Sequence, residues 1–100
     1  MGYEIVFSAQ AQHDLREIEY YISFDSPQVA KRFGQQLIKK TDMLGLHPEI
    51  GRIVPEVGNR IVREIIVGNY RIMYRVNVSK KQVRILSYWH AARGTPDVRY

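Results

Sequence analysis

Three runs rich in β-forming residues, Val62 to Val67, Tyr70 to Val78 and Gln82 to Trp89, follow one another with almost nothing between them. Gly68-Asn69 separates the first two and suits a two-residue hairpin turn, because glycine accepts a positive φ. Ser79-Lys80-Lys81 separates the last two. Strands joined this closely must be antiparallel. The middle run alternates Tyr70, Ile72, Tyr74 and Val76 with Arg71, Met73, Arg75 and Asn77. That period of two predicts one buried face and a second face offering guanidinium groups.

The first half of the chain has a different period. Tyr3 to Phe7 reads as a short strand. Ser8 then caps a helix reaching about Ser23, with Ala11, Leu15, Ile18 and Ile22 as its apolar stripe. His13, Asp14, Arg16, Glu17 and Glu19 fall largely off that stripe. Phe24-Asp25-Ser26-Pro27 ends this helix and starts another. Ser26 is the cap, and Pro27 stands at the first helical position, where its missing N–H costs nothing. The second helix carries Val29, Ala30, Phe33, Leu37 and Leu44 inward and ends over Gly45 to Pro48. So short a connection predicts an antiparallel helical hairpin. His47 to Asn59 is loop-rich, with Arg52-Ile53-Val54 as a brief extra strand.

The order β-α-α-β-β-β predicts an α+β fold: an N-terminal strand, then an antiparallel helical hairpin packed on a small antiparallel β-sheet. One hundred residues make a single domain, 1–100, with 94–100 as an irregular tail. No repeat, linker or low-complexity segment interrupts it.

Composition narrows the function classes. There is no cysteine, which removes disulfides, thiolate metal sites and cysteine nucleophiles. His13, His47 and His90 are far apart and form no HxH or HExxH pair, so neither metal nor cofactor is expected. Phosphate-loop and hydrolase-elbow motifs are also missing. No apolar run approaches the ~20 residues of a membrane span, and the start reads as a strand rather than a signal peptide. The expectation is a cytoplasmic protein with no membrane partner. A net charge of +5 directs it toward polyanions, either nucleic acid or an acidic protein.

One set of residues has the chemistry to cleave RNA: Glu56, Arg63, Arg71, Arg75, His90 and Arg93. A base takes the 2′-hydroxyl proton, an acid protonates the departing oxygen, and cations stabilise the charge on phosphorus-bound oxygens. Imidazole titrates near neutrality, so His90 suits either proton role, with Glu56 as its partner. Arginines hold phosphate through planar, bidentate contacts. Each residue also has a plainer role. Glu56 fits a solvated loop carboxylate, Arg71 and Arg75 fit solvated cations or partners of Glu64, and His90 fits a structural histidine at a strand end. The functional reading depends on all of them sharing one surface.

Four segments in order carry a family resemblance. They are Phe7-Ser8-x-x-Ala11-x-x-Asp14-Leu15-x-x-Ile18, His47-Pro48-x-x-Gly51-Arg52-x-Val54-Pro55-Glu56, Arg63-Glu64-x-x-Val67-x-x-Tyr70-Arg71-Ile72-x-Tyr74-Arg75-Val76 and Ile85-Leu86-x-x-x-His90-x-x-Arg93. The series resembles the RelE/ParE superfamily of toxins from prokaryotic type II toxin–antitoxin modules. The resemblance implies growth inhibition relieved by a cognate acidic antitoxin. It also implies one of two targets: mRNA, commonly on the ribosome and cut without a metal, which is the preferred expectation here, or as the alternative DNA gyrase, poisoned without any nuclease activity. An inactive relative that only binds its antitoxin is a third form. Glu56, Arg71 and His90 fall where YoeB-type ribonucleases of this superfamily place their catalytic carboxylate, arginine and histidine, and Arg63 falls near a phosphate-holding arginine. Arg75 and Arg93 complete the expected phosphate-binding set. Those ribonucleases have a tyrosine directly after the histidine, where this chain has Ala91. RelE uses lysines in its middle strands, and this chain has none between Lys40 and Lys80.

Overall fold

The computed structural model describes residues 2–100. Strand β1 (Glu4–Phe7) leads into helices α1 (Ala9–Asp25) and α2 (Pro27–Leu46). Strands β2 (Arg52–Ile53), β3 (Val62–Val67), β4 (Tyr70–Asn77) and β5 (Gln82–His90) follow, and a single 3₁₀ turn (Ala91–Arg93) closes the regular structure. The class is the α+β arrangement that the order of elements predicts. The sheet is mixed and has the order β1-β5-β4-β3-β2. Strands β2 to β5 pair antiparallel, while β1 pairs parallel with the last strand. The helical hairpin is the crossover connection that a parallel neighbour requires.

Local chemistry sets the helix boundaries as expected. The Ser8 hydroxyl accepts from the Ala11 amide at 3.0 Å and donates to the Leu86 carbonyl at 2.9 Å, so one side chain both caps α1 and ties it to β5. Ser26 caps α2 ahead of Pro27, with its hydroxyl accepting from the Val29 amide. The Gly68 φ of 58° supplies the turn between β3 and β4.

Two apolar clusters lie on opposite faces of the sheet. The larger lies under the helices and contains Ala11, Ile18, Leu37 and Leu44 with Val67, Ile72, Tyr74, Val76, Val83, Ile85 and Tyr88. Burying a side chain such as Leu37 or Leu44 completely contributes about 1.5–3 kcal/mol. The smaller contains Val54, Val62, Met73 and Leu86, packed against Val57 and Ile61 of the 54–61 loop, Trp89 of β5 and Val98 of the tail. The second face is therefore partly roofed. The tail has no regular structure, yet Pro96 is buried and Val98 packs into this cluster.

The helix stripes differ from the apolar periodicity at several points. Val29 is exposed, and Gly34 and Thr41 are buried in its place. The Thr41 hydroxyl donates to the Leu37 carbonyl and shares a 2.8 Å hydrogen bond with the Tyr88 hydroxyl, so a polar residue sits in the core without an orphan atom. Burial pushes the Tyr88 phenol up to about 12, which keeps it protonated. Asp14 is also buried. Its carboxylate accepts from the Tyr88 amide at 3.0 Å and from the Gln10 side chain at 2.8 Å. Strand β1 stops pairing with β5 at Ile85, and beyond that point Asp14 supplies the acceptor a neighbouring strand would have given.

Asp14→Ala leaves the Tyr88 amide without a partner in the interior. Loss of about 1.5–3 kcal/mol is expected, the range for a hydrogen bond to a charged group. Asp14→Asn, which keeps an acceptor oxygen, is expected to lose less. Urea unfolding of the two variants measures the difference.

Candidate functional site

The six residues singled out from sequence do not meet in one pocket. Cross-strand partners share a face of a sheet, so register decides which ones do. Arg71 lies opposite Ile66 and Trp89, and Arg75 lies opposite Val62 and Arg84. All of these line the loop-covered face with Met73 and Leu86. His90 lies opposite Tyr70, their rings 5.0 Å apart edge to face, on the side the helices cover. Arg63 lies opposite Tyr74 on that same side.

A β-bulge causes the separation. Met73 pairs with Ser87, but Tyr74 pairs with Ile85, so β5 carries one extra residue at that point. A one-residue slip transfers every later side chain to the other face. Without it, His90 would share a face with Arg71. The sequence does hold a signal for this: the apolar doublet Ile85-Leu86 breaks the alternation of β5.

Arg71 is 9% exposed, and each of its three guanidinium nitrogens donates to a carboxylate. Its Nη1 and Nη2 donate to the two Glu56 oxygens at 2.9 and 2.6 Å, and its Nε donates to Glu64 Oε1 at 2.5 Å. Glu64, only 1% exposed, accepts at its other oxygen from Arg52 Nε at 2.6 Å. Charges alternate along the series Arg52, Glu64, Arg71, Glu56 and cancel. The bidentate hydrogen bonds from Arg71 pull the Glu56 carboxyl down to about 2. The same bonds push the Arg71 guanidinium further up, so it stays charged. Chemically the pair is an anchor. A carboxylate that acidic is a weak proton acceptor, and this nearly buried guanidinium spends three of its five N–H donors on the two carboxylates.

The anchor holds the 47–60 loop to the sheet, with help from its other end. The Tyr74 hydroxyl donates to the Pro48 carbonyl at 2.8 Å and accepts from the Gly51 amide at 3.0 Å. Arg63 Nη1 donates to the Gly51 carbonyl at 2.9 Å. A side chain at Gly51 would place its Cβ 2.5 Å from the Glu64 carbonyl oxygen, so only glycine fits. The His47-to-Glu56 segment that stands out in the sequence is thus a collar around the sheet edge.

His90 and Arg93 occupy the far end of β5. The His90 Nδ1 accepts from the Ala92 amide at 3.0 Å, which starts the 3₁₀ turn and puts the proton of the neutral ring on Nε2. With Tyr70, Tyr21 and Glu17, these residues line a small cleft of about 110 Å³ beside α1. The Arg93 guanidinium carbon lies 4.5 Å from the Trp89 ring centroid, a cation–π distance. Burial raises the Tyr70 phenol, partly opposed by the charge of Arg93. Arg75 spends one N–H on the Tyr100 main-chain oxygen at 2.9 Å. Among the described residues no group of histidine and acidic side chains is arranged to hold a metal ion.

Comparison with known proteins gives these features a family. Residues 5–94 match the family described as ParE toxin of type II toxin-antitoxin system, parDE. The chain belongs to this family and so to the RelE/ParE toxins of type II toxin–antitoxin systems. Similar solved structures include the chromosomal ParDE system from P. aeruginosa, at 20% identity over 88% of this chain and 95% of that one, with a TM-score of 0.72. The toxin–antitoxin complex RelBE2 from Mycobacterium tuberculosis is 19% identical over 90% and 99% of the two chains, TM-score 0.66. A mutant of the E. coli toxin RelE in the free state is 22% identical over 94% and 88%, TM-score 0.66. At these identities the likeness is one of fold. A search of the curated proteins finds no match.

The charge series has measurable consequences. Arg71→Ala leaves Glu64 buried with only Arg52 beside it, and a loss of about 3–5 kcal/mol is expected in denaturant unfolding. Glu56→Gln is expected to be milder and dependent on pH. The Glu56 carboxyl is lower in the folded chain than its ordinary value of 4.5. Its contribution is therefore complete above about 4.5 and is lost as pH falls through about 2. Urea midpoints for Glu56→Gln and the parent chain should differ at pH 7 and converge on acidification across that window.

Proposed function

We propose that this toxin arrests growth by binding DNA gyrase, cuts no RNA, and is neutralised by a cognate acidic antitoxin in the cytoplasm. The observation that carries this reading is the bidentate pair of Glu56 and Arg71. Metal-independent RNA cleavage needs a base, an acid and free cations around one phosphorus atom. Here the carboxylate and the arginine neutralise each other, and the imidazole stands on the opposite face of the sheet. Those two facts favour a binding surface over a reaction centre, and membership of the ParE family supports gyrase as the surface's target. The charge of +5 suits a carboxylate-rich antitoxin, since complementary potentials speed the encounter. Ribonuclease action on mRNA at the ribosome is the alternative the test must separate.

Induction in cells is expected to leave transcripts intact while switching on the DNA-damage response. The purified protein should inhibit gyrase supercoiling in vitro. His90→Ala should remain toxic, because no proton transfer is asked of it. Cleaved transcripts in the parent strain, with cleavage lost in His90→Ala, would restore the ribonuclease reading. Arg71→Ala is unsuited to this test because it removes the loop anchor.

A further inference from the structure

Arg75 and Arg84 stand directly opposite each other on β4 and β5. Like charges in that position repel at close range and destabilise a sheet. Arg84 is exposed and Arg75 half-buried, and among the described residues neither has an Asp or Glu carboxylate within ion-pair distance, Arg75 Nη1 donating instead to the Tyr100 main-chain oxygen at 2.9 Å. The contrast with Arg71, on the same face and matched by two carboxylates, is plain. A groove of about 510 Å³ opens beside Arg84, lined also by Ser87, Trp89, Arg93 and Arg99. Two acidic groups face it. Asp14 is already engaged by the Tyr88 amide and Gln10, and Asp97 lies 3.6 Å from Arg99, with both of those side chains more than four-fifths exposed. Cations therefore dominate this part of the surface.

We infer that Arg75 and Arg84, with Arg93 and Arg99, form a binding surface for the phosphodiester backbone of DNA. Guanidinium groups at cross-strand spacing present flat, multidentate donors to successive phosphates, and the ligand's charge removes the repulsion between them. No base edge is read, so binding is independent of sequence and sensitive to salt. The surface deepens the gyrase reading, on which the choice of DNA over RNA rests: the toxin would touch the DNA that gyrase holds as well as the enzyme. Arg75 keeps most of its N–H donors for this, since only one is spent on the Tyr100 main-chain oxygen.

Fluorescence anisotropy tests this with the full chain, a labelled DNA duplex, the matching RNA and poly-glutamate, across a range of salt. DNA binding is expected, with affinity falling steeply as salt rises. Arg75→Gln/Arg84→Gln should weaken it about tenfold or more and reduce the log–log salt slope by about 2. The same variant should unfold no more readily than the parent, because repulsion has been relieved. Arg75→Lys/Arg84→Lys should keep the slope. Lys39→Gln/Lys40→Gln, on the helical hairpin, should change affinity by less than the arginine pair does. Absence of DNA binding, equal losses in the lysine and arginine variants, a preference for RNA, or binding of poly-glutamate alone would each overturn the inference. Gyrase supercoiling is assayed in parallel. Inhibition without DNA binding overturns this surface and leaves the gyrase reading standing. DNA binding without inhibition keeps the surface and removes that reading.

Discussion

The buried Glu64 carboxylate is the constraint on which much of this molecule depends. An ionised carboxylate cannot stay in a sheet interior without compensation. It therefore fixes Arg52 on β2 and Arg71 on β4, one guanidinium on each oxygen. Arg71 in turn needs a second anion and takes Glu56 from the loop. A two-residue edge strand and a long connection are thereby fastened to the β3–β5 meander. Tyr74 and Gly51 complete the fastening from the other end. The shape of this side of the protein follows from satisfying one charge.

The same requirement assigns the arginines to different work. Arg52 and Arg71 are held by the buried Glu64 carboxylate, while the cross-strand pair Arg75 and Arg84 has no Asp or Glu partner. A count of cations along the sheet cannot make that division, because it depends on where Glu56 and Glu64 lie in three dimensions. The bulge in β5 makes the second division. By adding one residue after Ile85 it turns Tyr88 into the core, where Thr41 meets it, and carries His90 to the helix side with Tyr70. Asp14 holds the strand just beyond this irregularity, so α1 and the bulge are built together.

Relatives with one fold can act by cleavage or by binding, and the difference lies in side chains grafted on the sheet. In this chain the residues that match a ribonuclease set are Glu56, Arg71 and His90, and two of them neutralise each other while the third faces elsewhere. A motif match is a statement about order along the chain. Catalysis needs convergence on one atom, which a mixed sheet with a bulge can undo while every motif residue is retained.

The order of strands and helices, the serine caps, the Gly68-Asn69 turn and the buried face of β4 were legible in the sequence, because each follows from local propensity and period. The parallel placement of β1 beside β5, which makes the sheet mixed, was not read from the sequence, although a helical crossover permits it. The helix stripes were legible only in part. Asp14 and Thr41 are polar and look like surface residues until their long-range partners, the Tyr88 amide and hydroxyl, are known. Proximity in space decided the rest: Glu56 against Arg71, Arg75 against Arg84, and His90 away from both. Local sequence sets backbone conformation, but the meeting of charges distant along the chain depends on register, and a single inserted residue reverses it.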